Sequence, residues 1–444
     1  MRAFAYLFIA TNVLSGCIAD SADETGSTGG KGDGSSCSRA AGEVDTCFGF
    51  HPIADLEEVV VSEPVVQTDS KILVFGTAQD RASAPPWRPV PFVRRLLANG
   101  TPDSTFTAEL PVPYAPPYTG SIFQPMTLAL RPDGRMIVAG SFGDSYTKQL
   151  SVQHLLPSGA RDPASRSGSF WPPSSLLGWT SSAVVNEVLL DQDGSYYLVG
   201  TTECIAAFTC DTRAMFVAHF DATGTLDASY GTGGYALIKS GQHTRVIDAV
   251  RVDDATFVLG VESERYFLNG QDTTINHVVV GKVTAGGALD ASFATAGVFS
   301  WSASGSQLGT IPQAFQVQPD GSIAIATLSP TNQLVALTSD GKTVTPHEYQ
   351  HDNGVRFARF AHDGSLFAEI TSYPIAAFGR FALDGTSDLT FTKAAIELPD
   401  VPTGTVFLGA TAVEQSDAWL VNGYLFMGAA AMPESQMMLF RLWK

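Results

Sequence analysis

An aspartate-bearing turn recurs at Asp69, Asp133, Asp193, Asp254, Asp320, Asp363 and Asp417, with separations of 64, 60, 61, 66, 43 and 54 residues. Just after each stands a short β-rich run: KILVFG, RMIVAG, SYYLVG, TFVLG, SIAIAT, SLFAEI and AWLVNG. Such runs, entered through Asp-Gly turns and with no competing 3.6-residue periodicity, read as strands. A period near sixty residues in seven copies constrains the fold more than any other feature, because each unit must stack on its neighbours to bury a core.

Each copy also carries a strand before the turn, as in TLALRPDG, EVLLDQDG and AFQVQPDG, and a third strand later. The third strands are FVRRLL, SVQHLL, FVAHFD, HVVVGKV, QLVALT, AFGRFA and MLFRLW. Three of them lead into Leu-Asp-x-x-aromatic or a close relative, clearest in LDASYGTGGYALI and LDASFATAGVFS, which supplies a fourth strand. The predicted fold is all-β, a seven-bladed β-propeller of four-stranded antiparallel blades over residues 45–444.

The pattern LRPDGRMIVAGSF followed by FVAHFDATGTLDASYGTGG resembles the bacterial delta-60 repeat. That resemblance runs from about residue 45 to 444 and is strongest in copies two to four. It implies propellers in exported proteins and carries no catalytic signature of its own.

Six glycines follow the third strands: Gly100, Gly159, Gly224, Gly287, Gly341 and Gly385. Five positions before five of them stands a basic residue, Arg95, His154, His219, Lys282 or Arg380, and three positions after stands Asp103, Asp162, Asp227, Asp290 or Asp388. The fifth copy has Ala336 and Val344 instead, losing both partners together. Residues that come and go as a pair are expected to touch, and buried charges are kept with a partner. The last copy ends at Arg441 with no aspartate after it, while VDTCFG at the other end of the chain supplies Asp45 and Phe48. The N-terminal segment is therefore expected to complete the last blade, with Asp45 near Arg441 and an outer strand around HPIADLEEV, leaving no sheet edge open at the seam.

Residues 1–16 read as an export signal: Arg2, then an apolar stretch from Ala3 to Val13, too short to span a bilayer. Leu14-Ser15-Gly16-Cys17 resembles the bacterial lipobox, which implies lipid on Cys17 and places the chain in the cell envelope, with Ile18 after the cysteine favouring the outer membrane. Residues 17–44, rich in Gly, Ser and charge, read as a flexible tether. The four remaining cysteines allow three connectivities, of which the short-loop pairings Cys37 with Cys47 and Cys204 with Cys210 suit an oxidising compartment. A formal charge of -18 with no basic run argues against nucleic acid.

PHEYQHD places His347, Glu348 and His351 in the zinc-peptidase spacing, and Thr345-Pro346-His347-Glu348 has the residues to start one helical turn. Asn353-Gly354 ends it too soon, and no later histidine fits as third ligand, so neither a metal nor another cofactor is expected. Asp191 and Asp193 could begin a calcium loop, but equivalent copies read RPDG and QPDG, so a tight turn explains them. No catalytic residue stands out, and the channel-lining side chains are not identifiable at this level. Trp87, Tyr114, Tyr118, Trp171 and Trp179 lie in proline-rich loops of copies one and two and could offer flat faces to a protein or glycan. The expected function is a monomeric, lipid-anchored binding scaffold without enzymatic activity, with a hydrolase or oxidoreductase sited in the central channel as the alternative.

Overall fold

A computed structural model describes residues 45, 48, 51–52, 57–80, 88–110, 122–143, 148–170, 182–203, 213–241, 243–268, 271–303, 310–328, 333–348, 355–372, 375–391, 394–395, 406–415, 418–427 and 434–444. Among them every regular element is a strand, and none is a helix long and apolar enough to cross a membrane. The strands form seven antiparallel sheets, six of them each drawn from one repeat, and the fold is a seven-bladed β-propeller. Blade three is typical: Ser182–Leu190, Tyr196–Glu203, Met215–Phe220 and Tyr235–Ile238 pair in chain order.

First strands of successive blades pack on one another and surround the central axis. Their apolar side chains, with those of the second and third strands, fill the spaces between blades, as where Val188, Tyr196 and Phe216 of blade three meet Ile137, Leu150 and Val152 of blade two. The core is thus a series of inter-blade layers rather than one central mass. Burying both faces of each sheet removes the solvated face that a lone antiparallel sheet would carry.

Blades one and seven depart from the even repeat. In blade one the inner strand is broken into Glu57–Val61 and Val65–Val66, both paired with Ile72–Asp80, which also pairs with Arg88–Leu96. No outer strand follows among the described residues of that blade. In blade seven, Val406–Glu414, Ala418–Met427 and Glu434–Trp443 come from the C-terminal end, and His51–Pro52 adds the fourth strand against Leu439 and Met438. The closing strand is shorter than the sequence suggests, because Glu57–Val61 already belongs to blade one.

The PHEYQHD stretch is not helical. Val344–Glu348 is the outer strand of blade five, paired residue for residue with Gln333–Leu337, so that His347 opposes Leu334. Neighbouring side chains on a strand point to opposite faces, which separates His347 from Glu348. His351 lies outside the described residues. Without the Asp and its basic partner, the fifth blade holds its outer strand by an unbroken ladder entered directly from the Gly341 turn.

Candidate functional site

The repeated charge pair is one part of a larger unit. In each copy that has the pair, the aspartate N–H donates to the backbone carbonyl of the basic residue, as from Asp103 to Arg95 at 2.9 Å and from Asp227 to His219 at 2.9 Å. One carboxylate oxygen accepts the N–H two residues on, from Thr105 to Asp103 at 3.0 Å and from Ser229 to Asp227 at 3.0 Å. The other meets the basic side chain: Arg95 at 2.8 Å, His219 at 2.9 Å, Lys282 at 2.9 Å and, for Asp388, Arg380 at 3.6 Å. Arg95 also lies over the Phe106 ring at 4.7 Å. The hydroxyl of Thr105, then Arg95, holds the Asp103 carboxyl down at about 2, and Ser292 with Lys282 does the same for Asp290. Such carboxylates are charged structural fixtures with no proton to exchange near neutrality.

His154 and Asp162 depart from the expected pairing. The His154 ring turns to Tyr196 of the next blade, with Nε2 3.3 Å from the phenol oxygen, and Asp162 takes Arg135 at 3.5 Å. The reason is visible in the sequence: copy two has Ser165 where the other copies with the pair have Phe106, Tyr230, Phe293 or Phe391, of which Phe106 and Tyr230 lie beside Arg95 and His219. Desolvation, reinforced by Arg131, lowers His154 to about 4, so it is a neutral core histidine.

At the seam, the Asp45 N–H donates to the Arg441 carbonyl at 2.8 Å, Arg441 Nη1 reaches Asp45 Oδ2 at 3.3 Å, and the guanidinium lies 4.5 Å over Phe48. Arg441 also donates to the Ala98 carbonyl of blade one at 3.1 Å. The unit thus forms from two chain ends as it does within a single copy.

Around the axis lies a second set of charges that the sequence reading did not assemble. In six blades the inner strand has a register shift, seven residues before the turn aspartate, at Met126, Asn186, Ile247, Gln313, Arg356 and Ala410. A β-bulge re-aims the side chain beside it. The next residue in blades two, three and four is Thr127, Glu187 or Asp248, and Glu63 holds the same register in blade one. Arg359 of blade six reaches two of these: Glu63 at 2.5 Å and Asp248 at 3.8 Å. The Thr127 hydroxyl donates to Glu187 at 3.1 Å and accepts the Val188 N–H at 3.3 Å.

Asp248 and Arg359 keep 24% and 26% of their side-chain surface open. Desolvation is nonetheless the largest influence on Glu187 and Asp248. It raises Glu187 to about 8, with Asp248 and Glu63 adding to the rise, and raises Asp248 to about 6 although Arg359 opposes. Desolvation also works against the charge on Arg359, but Glu63 and Asp248 outweigh it and hold the guanidinium ionised. The signal that could have found this cluster was the column six residues before each turn aspartate, which holds three acids and two threonines among seven copies.

A cavity of about 480 Å³ opens at the turn side of blades four to six. Gln316, Gln318, Pro319, Asp253, His362 and Asp363 contribute to its wall. Gln318 Nε2 donates to the Gln316 side-chain Oε1 at 3.1 Å and Gln316 Nε2 to the Ala361 backbone carbonyl at 3.0 Å, which fixes both amides. His362 is tied through Nδ1 to Glu414 at 2.5 Å, and Glu414 also meets Lys444.

Other expected features find different places. Asp193 accepts the Ser195 N–H at 2.8 Å, and Asp191 pairs with Arg251 at 2.8 Å, which makes them turn and inter-blade contacts. Among the described residues no three His, Cys, Asp or Glu side chains are grouped to hold a metal ion. Cys17, Cys37, Cys47, Cys204, Cys210, Trp87, Tyr114, Tyr118, Trp171 and Trp179 lie outside the described residues.

Fold and repeat unit together define a β-propeller protein. A family model described as a domain of unknown function (DUF5122) beta-propeller matches residues 67–106, which span the turn, second strand and Leu-to-Phe106 segment of blade one. No curated protein matches the chain. Among solved structures, a puromycin hydrolase is 11% identical, with 90% of this chain and 55% of that one covered and a TM-score of 0.50. The polysaccharide lyase Uly1 is 9% identical over 88% of this chain and 90% of that one, with a TM-score of 0.46. Virginiamycin B lyase from Staphylococcus aureus is 9% identical over 72% and 95%, with a TM-score of 0.38. Likeness at these identities extends to the fold alone.

Proposed function

We propose that the chain is an exported propeller of the delta-60 repeat type, lipid-anchored at Cys17 in the bacterial outer membrane, that binds a protein or glycan without transforming it. One observation carries the binding reading. The axis is occupied by the protein's own Arg359, whereas a cavity opens at the turn face, walled by oriented amides, Asp253, Asp363 and Pro319. Fixed amides and carboxylates suit hydroxyl and amide groups of a neutral ligand, and the acidic chain disfavours phosphate.

A channel enzyme has one feature in its favour, a Glu187 carboxyl raised by desolvation and by the charge of Asp248. Buried ion networks produce such shifts without catalysis, and Arg359 already pairs with Glu63 and Asp248 of this cluster. The lipid rests on the Leu14-Ser15-Gly16-Cys17 sequence; from there the tether leads to Asp45 at the seam of blade seven.

The test is capture of neutral oligosaccharides and envelope proteins by the immobilised body from residue 37 onward, compared with the Gln316→Leu, Gln318→Leu double variant. Binding lost in the variant is expected; binding equal in both would move the site elsewhere. Cys17→Ala is expected to release the protein from the membrane fraction.

A further inference from the structure

Among the described residues, the axial cluster contains three carboxyl groups and one guanidinium. Arg359 takes Glu63 and Asp248 as partners, while among the described residues the third acid, Glu187, has only the neutral Thr127 hydroxyl as a side-chain hydrogen-bond donor. Glu187 holds the same inner-strand register as Glu63 and Asp248, and the charges of Asp248, Glu63 and Arg359 all act on it. These residues come from blades one, two, three, four and six, so the cluster ties opposite sides of the ring.

We propose that this cluster is a proton-tightened lock on the ring: Glu187 stays protonated while the axis is closed, and loss of that proton weakens the grip of blade six on blades one and four. The argument is one of charge balance. One guanidinium can neutralise one carboxylate fully and a second in part, and a third negative charge would face two others across the axis. A protonated Glu187 avoids this and still accepts from Thr127 through its carbonyl oxygen. The placement of Glu187 near 8, from desolvation and then from Asp248 and Glu63, agrees with the geometry.

The sign follows from linkage. A carboxyl that holds its proton more tightly when folded contributes stability that is full below its unfolded value and is lost as pH rises to its folded value. The relevant window is from about 5 to 8. The ring should therefore be tighter in mildly acidic surroundings than in mildly alkaline ones.

The experiment compares the full chain with Glu187→Gln, which keeps the shape of the protonated acid. Unfolding by denaturant at pH 5.5 and 7.5 is expected to show the wild-type folding constant falling by about a hundredfold relative to the variant, a tenfold change for each pH unit. Folding at pH 7 should also take up about one more proton in the wild type than in the variant. A ratio of folding constants that stays the same at both pH values, or equal proton uptake, would overturn the proposal. If Glu187→Gln does not fold, Glu187→Met removes the titrating group and enters the same comparison.

Discussion

Asp45 and Arg441 are 396 residues apart and meet as Asp103 and Arg95 do at eight. The side chains are 4% and 17% exposed, and the Asp45 carboxylate also accepts the Phe48 N–H at 3.2 Å. Removing either partner leaves a poorly solvated charge. Asp45→Ala and Arg441→Ala are each expected to cost about 2 to 3 kcal/mol. The double variant should cost about 1 to 2 kcal/mol less than their sum. Denaturant unfolding of all four proteins completes the cycle, and strictly additive losses would mean the seam is held elsewhere.

The glycine after the third strand has a steric role between blades. Gly159 has φ +93°, and a Cβ there would stand 2.3 Å from the Thr107 carbonyl oxygen of the preceding blade. Gly233 has φ +62° with open space around it. Gly233→Ala should therefore cost only the left-handed backbone, about 1 kcal/mol. Gly159→Ala must also separate two blades, and is expected to cost about 3 kcal/mol or more. Equal losses in thermal unfolding would remove the inter-blade explanation.

The fold could be read in the sequence because a propeller repeats its local chemistry. A strand, a capped turn and the Asp–base contact recur with a fixed period, and the fifth copy loses both charges together because neither has a use alone. His154 shows where column reading stops. It occupies the same place as Arg95, but Ser165 has replaced the aromatic beside it, and a tyrosine on the next blade decides its orientation. The axial cluster was harder still. Arg359 and Glu63 are 296 residues apart and stand in different columns, so only the closed ring brings them together. The loops carrying Trp87, Tyr114, Tyr118, Trp171 and Trp179 have no repeat to constrain them, and their sequence says what they offer without saying where.

The strand at Val344–Glu348 bears on metal binding. With His347 opposite Leu334 and Glu348 opposite Gln333, the arrangement that lets a helical H-E-x-x-H bind zinc is absent. Purified protein is expected to carry well under one equivalent of zinc, and neither a chelator nor His347→Ala should change the unfolding midpoint. One equivalent of zinc that is lost in His347→Ala would contradict the strand assignment.

Acid should loosen the blades through the turn aspartates, in the opposite sense to the axial lock. Asp103 is held at about 2 by the Thr105 hydroxyl and N–H and by Arg95, and Asp290 likewise by Ser292 and Lys282. A carboxyl whose folded value is depressed contributes stability that is present above its unfolded value and lost as pH falls through the folded one. The loss attributable to these groups should therefore run from about pH 4 to pH 2. Asp103→Asn keeps the Thr105 contacts but cannot titrate, so it should be less stable than wild type at neutral pH and approach it toward pH 2. Thermal unfolding of the two proteins in that range makes the check. A gap that stays constant with pH would mean that the Asp103 carboxylate gains nothing from its charge.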